Sequence, residues 1–435
     1  MVTTTSSPED RQDRLWQVTR YGVAIFSFSP VVGGLGLLWA AIAIWLRHRR
    51  SLLASRVTQG LAVVAVLQIL STIFADKPLP SFWGLFNFLP FFFLFPALAK
   101  ILHTPHRLRR IAQIVLVAAI PVGLIGWGQM LWGWQGHWEI TILANIPILE
   151  GGKPPGRMSS IFIYANFLAC YLLVPFALGL GLWLESLWQV RASKAGAWWQ
   201  LTWQTAALTI IAIALFFTHS RNAWGVAGLM VLVFAIYASW YWIVTAMVAA
   251  MGVVLGAAFA PAPANTWFRW VVPAYIWQRL NDRLYADRPV ELMRTTQWQF
   301  AGDMISDRWW LGWGLRSFSR LYEQKMQVWL GHPHNLPLML AAETGIPAAL
   351  LFLTVVGWIF ARGVLSLTKG MAKQNFYYPG DRLMLFSYLV AFGGCTCFHL
   401  LDVPLFDVQI NMWGWLSLAG IWGLVAPNGG TNQRP

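Results

Sequence analysis

The sequence predicts an all-α, polytopic integral membrane protein of about twelve transmembrane helices with one long external loop. Only 11% of its 435 residues are charged, where soluble domains carry about 25%. Apolar runs close to 20 residues long recur along the chain, which is the length a helix needs to cross the hydrocarbon core. These runs do not alternate polar with apolar positions, as the strands of a membrane barrel must. The 28 Trp and 11 Tyr residues suit a protein with two water–lipid boundaries, where indole and phenol prefer to lie.

The net charge of +14 reads as a signal of orientation, since basic residues stay on the cytoplasmic side, and no nucleic-acid partner is implied. Cys170, Cys395 and Cys397 fall in or near apolar segments without C-x-x-C spacing. They read as small core residues. Residues 1–14 are polar and lack the short apolar core and cleavage site of a signal peptide, so the first membrane helix is expected to remain.

Taken in order, residues 15–46 are apolar with a break at Ser29-Pro30. One long helix or two short ones would fit. Arginines on both flanks (Arg11, Arg14 and Arg20 before, Arg47, Arg49 and Arg50 after) favour a hairpin, because both ends then stay on one side. Further runs lie at about 57–74, 81–101, 111–133, 159–184, 203–218, 222–237 and 240–259. Residues 260–344 form one long polar stretch of mixed charge, in which amphipathic helices on the membrane surface are expected, for example around Trp298 to Trp310. Runs at 345–367, 381–403 and 405–425 complete the set. With the hairpin counted as two, both termini are cytoplasmic and the strongly basic short loops fall on that side.

This sidedness makes certain polar residues informative. Arg157, Arg221 and Arg294 fall on the external side, where arginines are not needed as topology signals. A guanidinium at a helix end suits recognition of phosphate, although a lone boundary arginine more often reaches to lipid headgroups. The external loop also carries His332, His334 and Glu343. Asn335 resembles a helix N-cap with Pro337 in the first turn, which puts His334 just ahead of a helix start, where an anion is favoured. Helical spacing separates Glu343 from His334 by about 13 Å along the axis, so Glu343 reads as a structural, loop-pinning residue. No metal is expected. His332 and His334 stand two apart, and neither His-Glu-x-x-His nor Asp-x-Asp accompanies them.

Four stretches, in this order, resemble the O-antigen ligase and polymerase superfamily. Gly156-Arg157, Phe162 and Asn166-Phe167-Leu168-Ala169 are similar to its R-x-x-G-x-F-x-N-P-N-x-L-A segment, with Tyr164-Ala165 in place of Asn-Pro. Ser220-Arg221-Asn222-Ala223-Trp224 resembles its S-R-G-A-W turn, with Asn222 in place of glycine. Arg294, Trp298, Leu311-Gly312-Trp313-Gly314 and Phe318 resemble its R-x-x-x-W and P-L-x-G-x-G runs, with tryptophan at the usual proline. His334-Asn335, Leu338, Glu343 and Gly345 match H-N-x-x-L followed by E-x-G.

The resemblance implies a bacterial inner-membrane enzyme that takes a glycan from undecaprenyl diphosphate at the periplasmic face. It passes that glycan to an acceptor hydroxyl, with the lipid A core as the first expectation. Polysaccharide polymerisation and protein O-glycosylation are the alternatives within the family. It implies His334 as the base, with Arg221 and Arg294 on the diphosphate. Arg157, Asn166, Ser220, Trp298, His332 and Asn335 are candidates for substrate binding, while Glu343 and Gly345 are structural. The chain then divides into N-terminal helices over 1–259, a periplasmic loop over 260–344 and C-terminal helices over 345–435. Neither metal nor cofactor is implied. A small-anion (bicarbonate) transporter is the rival of another class, but its ionisable groups should lie near the bilayer midplane, where this sequence is almost uncharged.

Overall fold

The computed structural model describes residues 8–140, 144–281, 289–368 and 378–426. The apolar runs become helices. The chain opens with α1 (Pro8–Phe26) and α2 (Pro30–Leu53), so the 15–46 stretch is two helices. Pro30 has no N–H to give and stands in the first turn of α2, where that donor is not needed. The Ser29 hydroxyl accepts the Val32 N–H there at 3.3 Å. A Cβ on Gly33 would stand 2.6 Å from the Gly22 carbonyl oxygen, so glycine lets the two helices touch backbone to backbone.

Next come α3 (Arg56–Ile73), α4 (Pro78–Leu85), α5 (Leu89–Ile101) and α6 (Pro105–Leu131). A hairpin that the sequence pattern did not reveal follows, with β1 (Gly136–Ile140) antiparallel to β2 (Ala144–Ile148). Then come α7 (Ala165–Arg191), α8 (Ala197–Phe217), α9 (Arg221–Tyr237) and α10 (Tyr241–Phe259). The long polar stretch holds α11 (Ala264–Val271), α12 (Ala274–Leu280), α13 (Arg294–Asp307), α14 (Ser317–Met326) and α15 (Leu336–Thr344). The chain ends with α16 (Ile346–Thr368), α17 (Pro379–His399) and α18 (Val408–Val425).

Among the described residues, eight helical segments are long and apolar enough to cross a membrane, counting α4 and α5 as one. The helix α9 is apolar but shorter. The central post is α7, whose most apolar stretch is 83% buried, against 11% for α10 at the periphery. A helix apolar on all sides must be enclosed on all sides, and α7 packs against α6, α8, α9, α17 and α18.

In the stretch around Trp298 to Trp310, where an amphipathic surface helix is expected, α13 runs to Asp307 and turns its apolar stripe onto protein. Helix α13 buries Gln297, Phe300, Ala301 and Met304. Phe300, Ala301 and Met304 pack with Phe318, Tyr322 and Ala342 of α14 and α15 in a small satellite core. Spacings of three and four put those residues on one stripe, and two neighbouring helices cover it. The helix that does carry an exposed apolar face is α11, with Trp267, Trp270 and Val271 largely open.

Candidate functional site

The site grows from the start of α15. The Asn335 carboxamide caps that helix, accepting the Leu338 N–H at 2.9 Å. Its amide group donates to the Leu400 carbonyl at 3.1 Å, tying α15 to the α17–α18 connection. Pro337 in the first turn costs no hydrogen bond. Asn335 is thus occupied with holding two elements together.

His334, directly before the cap, has a φ of +53°. A side chain with a Cβ resists this left-handed backbone, and such strain persists only where the surroundings enforce it. Here three contacts enforce it. The His334 backbone N–H donates to His332 Nδ1 at 3.1 Å. The Trp298 indole N–H donates to the Pro333 carbonyl at 2.9 Å. The third is the 3.0 Å bond between His334 Nδ1 and Asp402 Oδ1.

Asp402 was not among the residues expected from sequence. It sits between α17 and α18 and is buried. Burial opposes its ionisation, but the hydrogen bond from His334 and the proximity of His332 outweigh that and hold the carboxyl well below its usual range. An ionised Asp402 can only accept, so His334 Nδ1 carries a proton, and in the neutral ring Nε2 is left with a lone pair. That Nε2 has no hydrogen-bond partner among the described residues, and the side chain is 29% exposed. The arrangement is a carboxylate-oriented imidazole with one open basic nitrogen.

His332 plays a different part. Its Nδ1 accepts the His334 amide, so its proton lies on Nε2, 3.4 Å from Asp402 Oδ1. Burial pushes its pKa down to about 4; the Asp402 carboxylate works against this, and His334, His399 and Arg294 add to it. His332 is therefore a neutral prop. One ligand atom each from His332, His334 and Asp402 lies within 4.8 Å of the others, close enough for a metal. The donor chemistry does not suit one, because His332 Nε2 holds a proton rather than a lone pair and Asp402 Oδ1 already accepts the His334 ring N–H and the Val403 backbone N–H.

The far oxygen of Asp402 is held as well. Asn166, on the first turn of α7, donates to Oδ2 at 2.5 Å. Its carbonyl oxygen accepts Arg157 Nη2 at 2.6 Å, and Arg157 Nε donates to the Thr218 carbonyl at 2.8 Å. Thr218 opens the turn that presents Arg221 at the first position of α9. Ser220 caps that helix by accepting the Ala223 N–H, and Asn222 donates to the Phe398 carbonyl at the end of α17, 2.9 Å away. Arg294 begins α13, is exposed, and lies close enough to His332 to oppose its protonation.

Of the residues picked out from sequence, His332, His334, Asn335, Trp298, Asn166 and Arg157 therefore meet in one network. Arg221, Ser220 and Arg294 stand on elements bound to it or beside it. Glu343 faces elsewhere: its Oε1 accepts the Phe318 N–H at the start of α14, 3.1 Å away. Its backbone carbonyl accepts the Ser71 hydroxyl at 3.0 Å and the Gly314 N–H at 2.8 Å. Gly345 has a φ of +81°, and a Cβ there would stand 2.1 Å from the Trp310 carbonyl oxygen, so only glycine fits beneath that loop. Asp402 could have been suspected on one ground: it is an ionisable residue inside an apolar boundary stretch, and such a group needs a partner.

Residues 206–353 match the family model described as O-antigen ligase. That stretch is similar to the O-antigen ligase superfamily. No curated protein matches the chain. The matched O-antigen ligase region includes Arg221, Arg294, His332 and His334, whereas Arg157, Asn166 and Asp402 lie outside it. The match suggests glycosyl transfer of the ligase or polymerase type, from a lipid-linked glycan to a glycan or lipid acceptor.

Proposed function

We propose that this protein is a metal-independent, inverting glycosyltransferase of the O-antigen ligase type. It moves a glycan from undecaprenyl diphosphate to an acceptor hydroxyl at the periplasmic face of the bacterial inner membrane. The observation that carries this reading is the open Nε2 of His334 behind a Nδ1–H bonded to Asp402. A base so oriented takes the proton of the acceptor hydroxyl as its oxygen attacks the anomeric carbon. The bond from that carbon to the diphosphate oxygen breaks in the same displacement, inverting the centre. The diphosphate leaves with its charge, which Arg221 and Arg294 stabilise in place of a metal.

In this reading Asp402 positions His334, and Asn166 and Arg157 position Asp402. Residues 260–344 form the periplasmic loop, between N-terminal helices over 1–259 and C-terminal helices over 345–435. The lipid A core is the preferred acceptor, with polymerisation and protein O-glycosylation as the alternatives within the family. The bicarbonate-transport alternative gains nothing from the family match.

The test is reconstitution of the purified protein with undecaprenyl-diphosphate glycan and a panel of acceptors. Transfer is expected for wild type and absent for His334→Ala and Arg221→Ala, both correctly inserted. Full transfer by His334→Ala would remove the base assignment. Uptake of labelled bicarbonate without any transfer would favour the transporter.

A further inference from the structure

Arg316 has no role in the chemistry above, yet its setting is built. It immediately precedes α14 and has a φ of +62° and ψ of +14°, a left-handed backbone that arginine seldom adopts. The turn is enforced from below. The buried Glu343 carboxylate accepts N–H groups at the start of α14, including that of Phe318. Gly314, two residues earlier, has a φ of +92° and no room for a Cβ, which would stand 2.4 Å from Ala75 Cβ. The protein thus spends backbone strain on presenting this one side chain, and the side chain is exposed.

Its direction is informative. The Arg316 guanidinium carbon lies 6.0 Å from the centre of the Phe406 ring. The other side of the contact chain is the site itself: Phe406 stacks on the His332 ring at 6.2 Å with 23° between planes. The His332 and His334 rings are 4.5 Å apart. Arg316 makes no hydrogen bond or ion pair through its guanidinium among the described residues. Its five N–H donors are free to meet a ligand, and the aromatic platform orients them without using any. The same exposure also fits an arginine that meets lipid headgroups, but strain and an aromatic rest beside the histidines are not needed for that purpose.

We infer that Arg316 is an anion-binding residue of the transfer site, recognising a phosphate or carboxylate group carried by one of the two substrates. This rests on the transfer reading above. The decisive variant is Arg316→Asn, because asparagine tolerates the left-handed backbone and removes the charge. Arg316→Lys keeps the charge and loses the fork. Two measurements are made on the full chain in nanodiscs. One is equilibrium binding of undecaprenyl diphosphate; the other is transfer kinetics with a neutral and with a phosphorylated acceptor glycan.

A tenfold or greater loss of undecaprenyl diphosphate binding in Arg316→Asn, partly restored in Arg316→Lys, assigns Arg316 to the donor. Unchanged donor binding, with KM raised tenfold or more for the phosphorylated acceptor alone and kcat within twofold, assigns it to the acceptor. Wild-type binding and wild-type KM in Arg316→Asn overturn the inference and leave a headgroup contact. If wild type itself transfers nothing to either acceptor, it is the transfer reading that fails, and the binding arm still decides whether Arg316 holds a diphosphate.

Discussion

Two polar clusters sit at opposite ends of α7 and α17, and they are built on opposite principles. At one end Arg109 makes a forked pair with Glu185, at 2.8 and 2.9 Å, and reaches Asp381 at 3.2 Å. At the other, Asn166 and Asp402 anchor His334. On α7, Asn166 and Glu185 are 19 residues apart, about 28 Å at 1.5 Å per residue, close to the thickness of a hydrocarbon core. The Arg109 cluster is closed. A bidentate ion pair is satisfied on both sides and ties α6, α7 and α17 at one level. The His334 cluster is just as well braced but leaves one ring nitrogen unused. A polar group that a folded chain orients with care and then leaves without a partner is the mark of a working site. Burial and charge alone would not have separated the two.

The comparison can be broken at four points. The largest effect is expected at the open end: Asp402→Asn should lower kcat about 100-fold or more, since misorienting a general base forfeits most of its contribution, while thermal stability in detergent falls only slightly. If stability collapses and the surviving enzyme has normal kcat, Asp402 is merely structural. At the closed end the expectation is reversed. Arg109→Ala strands two largely buried carboxylates and should cost about 3 kcal/mol of stability, with the kcat of the folded fraction unchanged. A clear drop in kcat there would mean that the two ends communicate.

A smaller effect concerns Glu343. Burial raises its pKa to about 7, against the pull of the N–H groups of α14. Between its ordinary 4.5 and about 7 the folded protein holds a proton that the unfolded chain has lost. Stability from this group therefore falls as pH rises through that window and levels off above it. Melting temperatures across pH 5 to 8 should show the slope in wild type and a flatter profile in Glu343→Gln; identical profiles would refute it. Smallest of all, Trp298→Phe removes the hydrogen bond to Pro333, worth about 1 kcal/mol. It should lower kcat several-fold without altering donor binding. A Trp298 that instead stacks on sugar would show its loss in KM.

The sequence was most legible where one physical rule acts alone. Apolar runs became helices because nothing else satisfies backbone in lipid. The Pro30 break and the Asn335 cap followed from the missing donor of proline and the short amide side chain of asparagine. It was less legible where partners come from distant segments. Asp402 stands 68 residues from His334, in what reads as the end of an apolar run, and no spacing rule joins them. Trp298 illustrates the same limit. Its motif marks it as a candidate for substrate binding, but only the fold reveals that its N–H is already committed to Pro333. The same holds for α13, whose apolar stripe is legible in sequence while the helices α14 and α15 that cover it are not.

The position of Asp402 has a consequence for anyone who would cut this protein down. The stretch that carries the family likeness ends at residue 353, so an excised segment would keep the histidines and two arginines yet lack the carboxylate that holds the His334 ring. Asn166 and Arg157 would be lost from its other side. Sequence likeness here marks a portion of the machine that cannot be transplanted: the His334 network is assembled from the first turn of α7, the start of α15 and the link between the last two helices. Chimeras between relatives should therefore exchange those three segments together, and swaps of the long loop alone should yield folded but idle proteins.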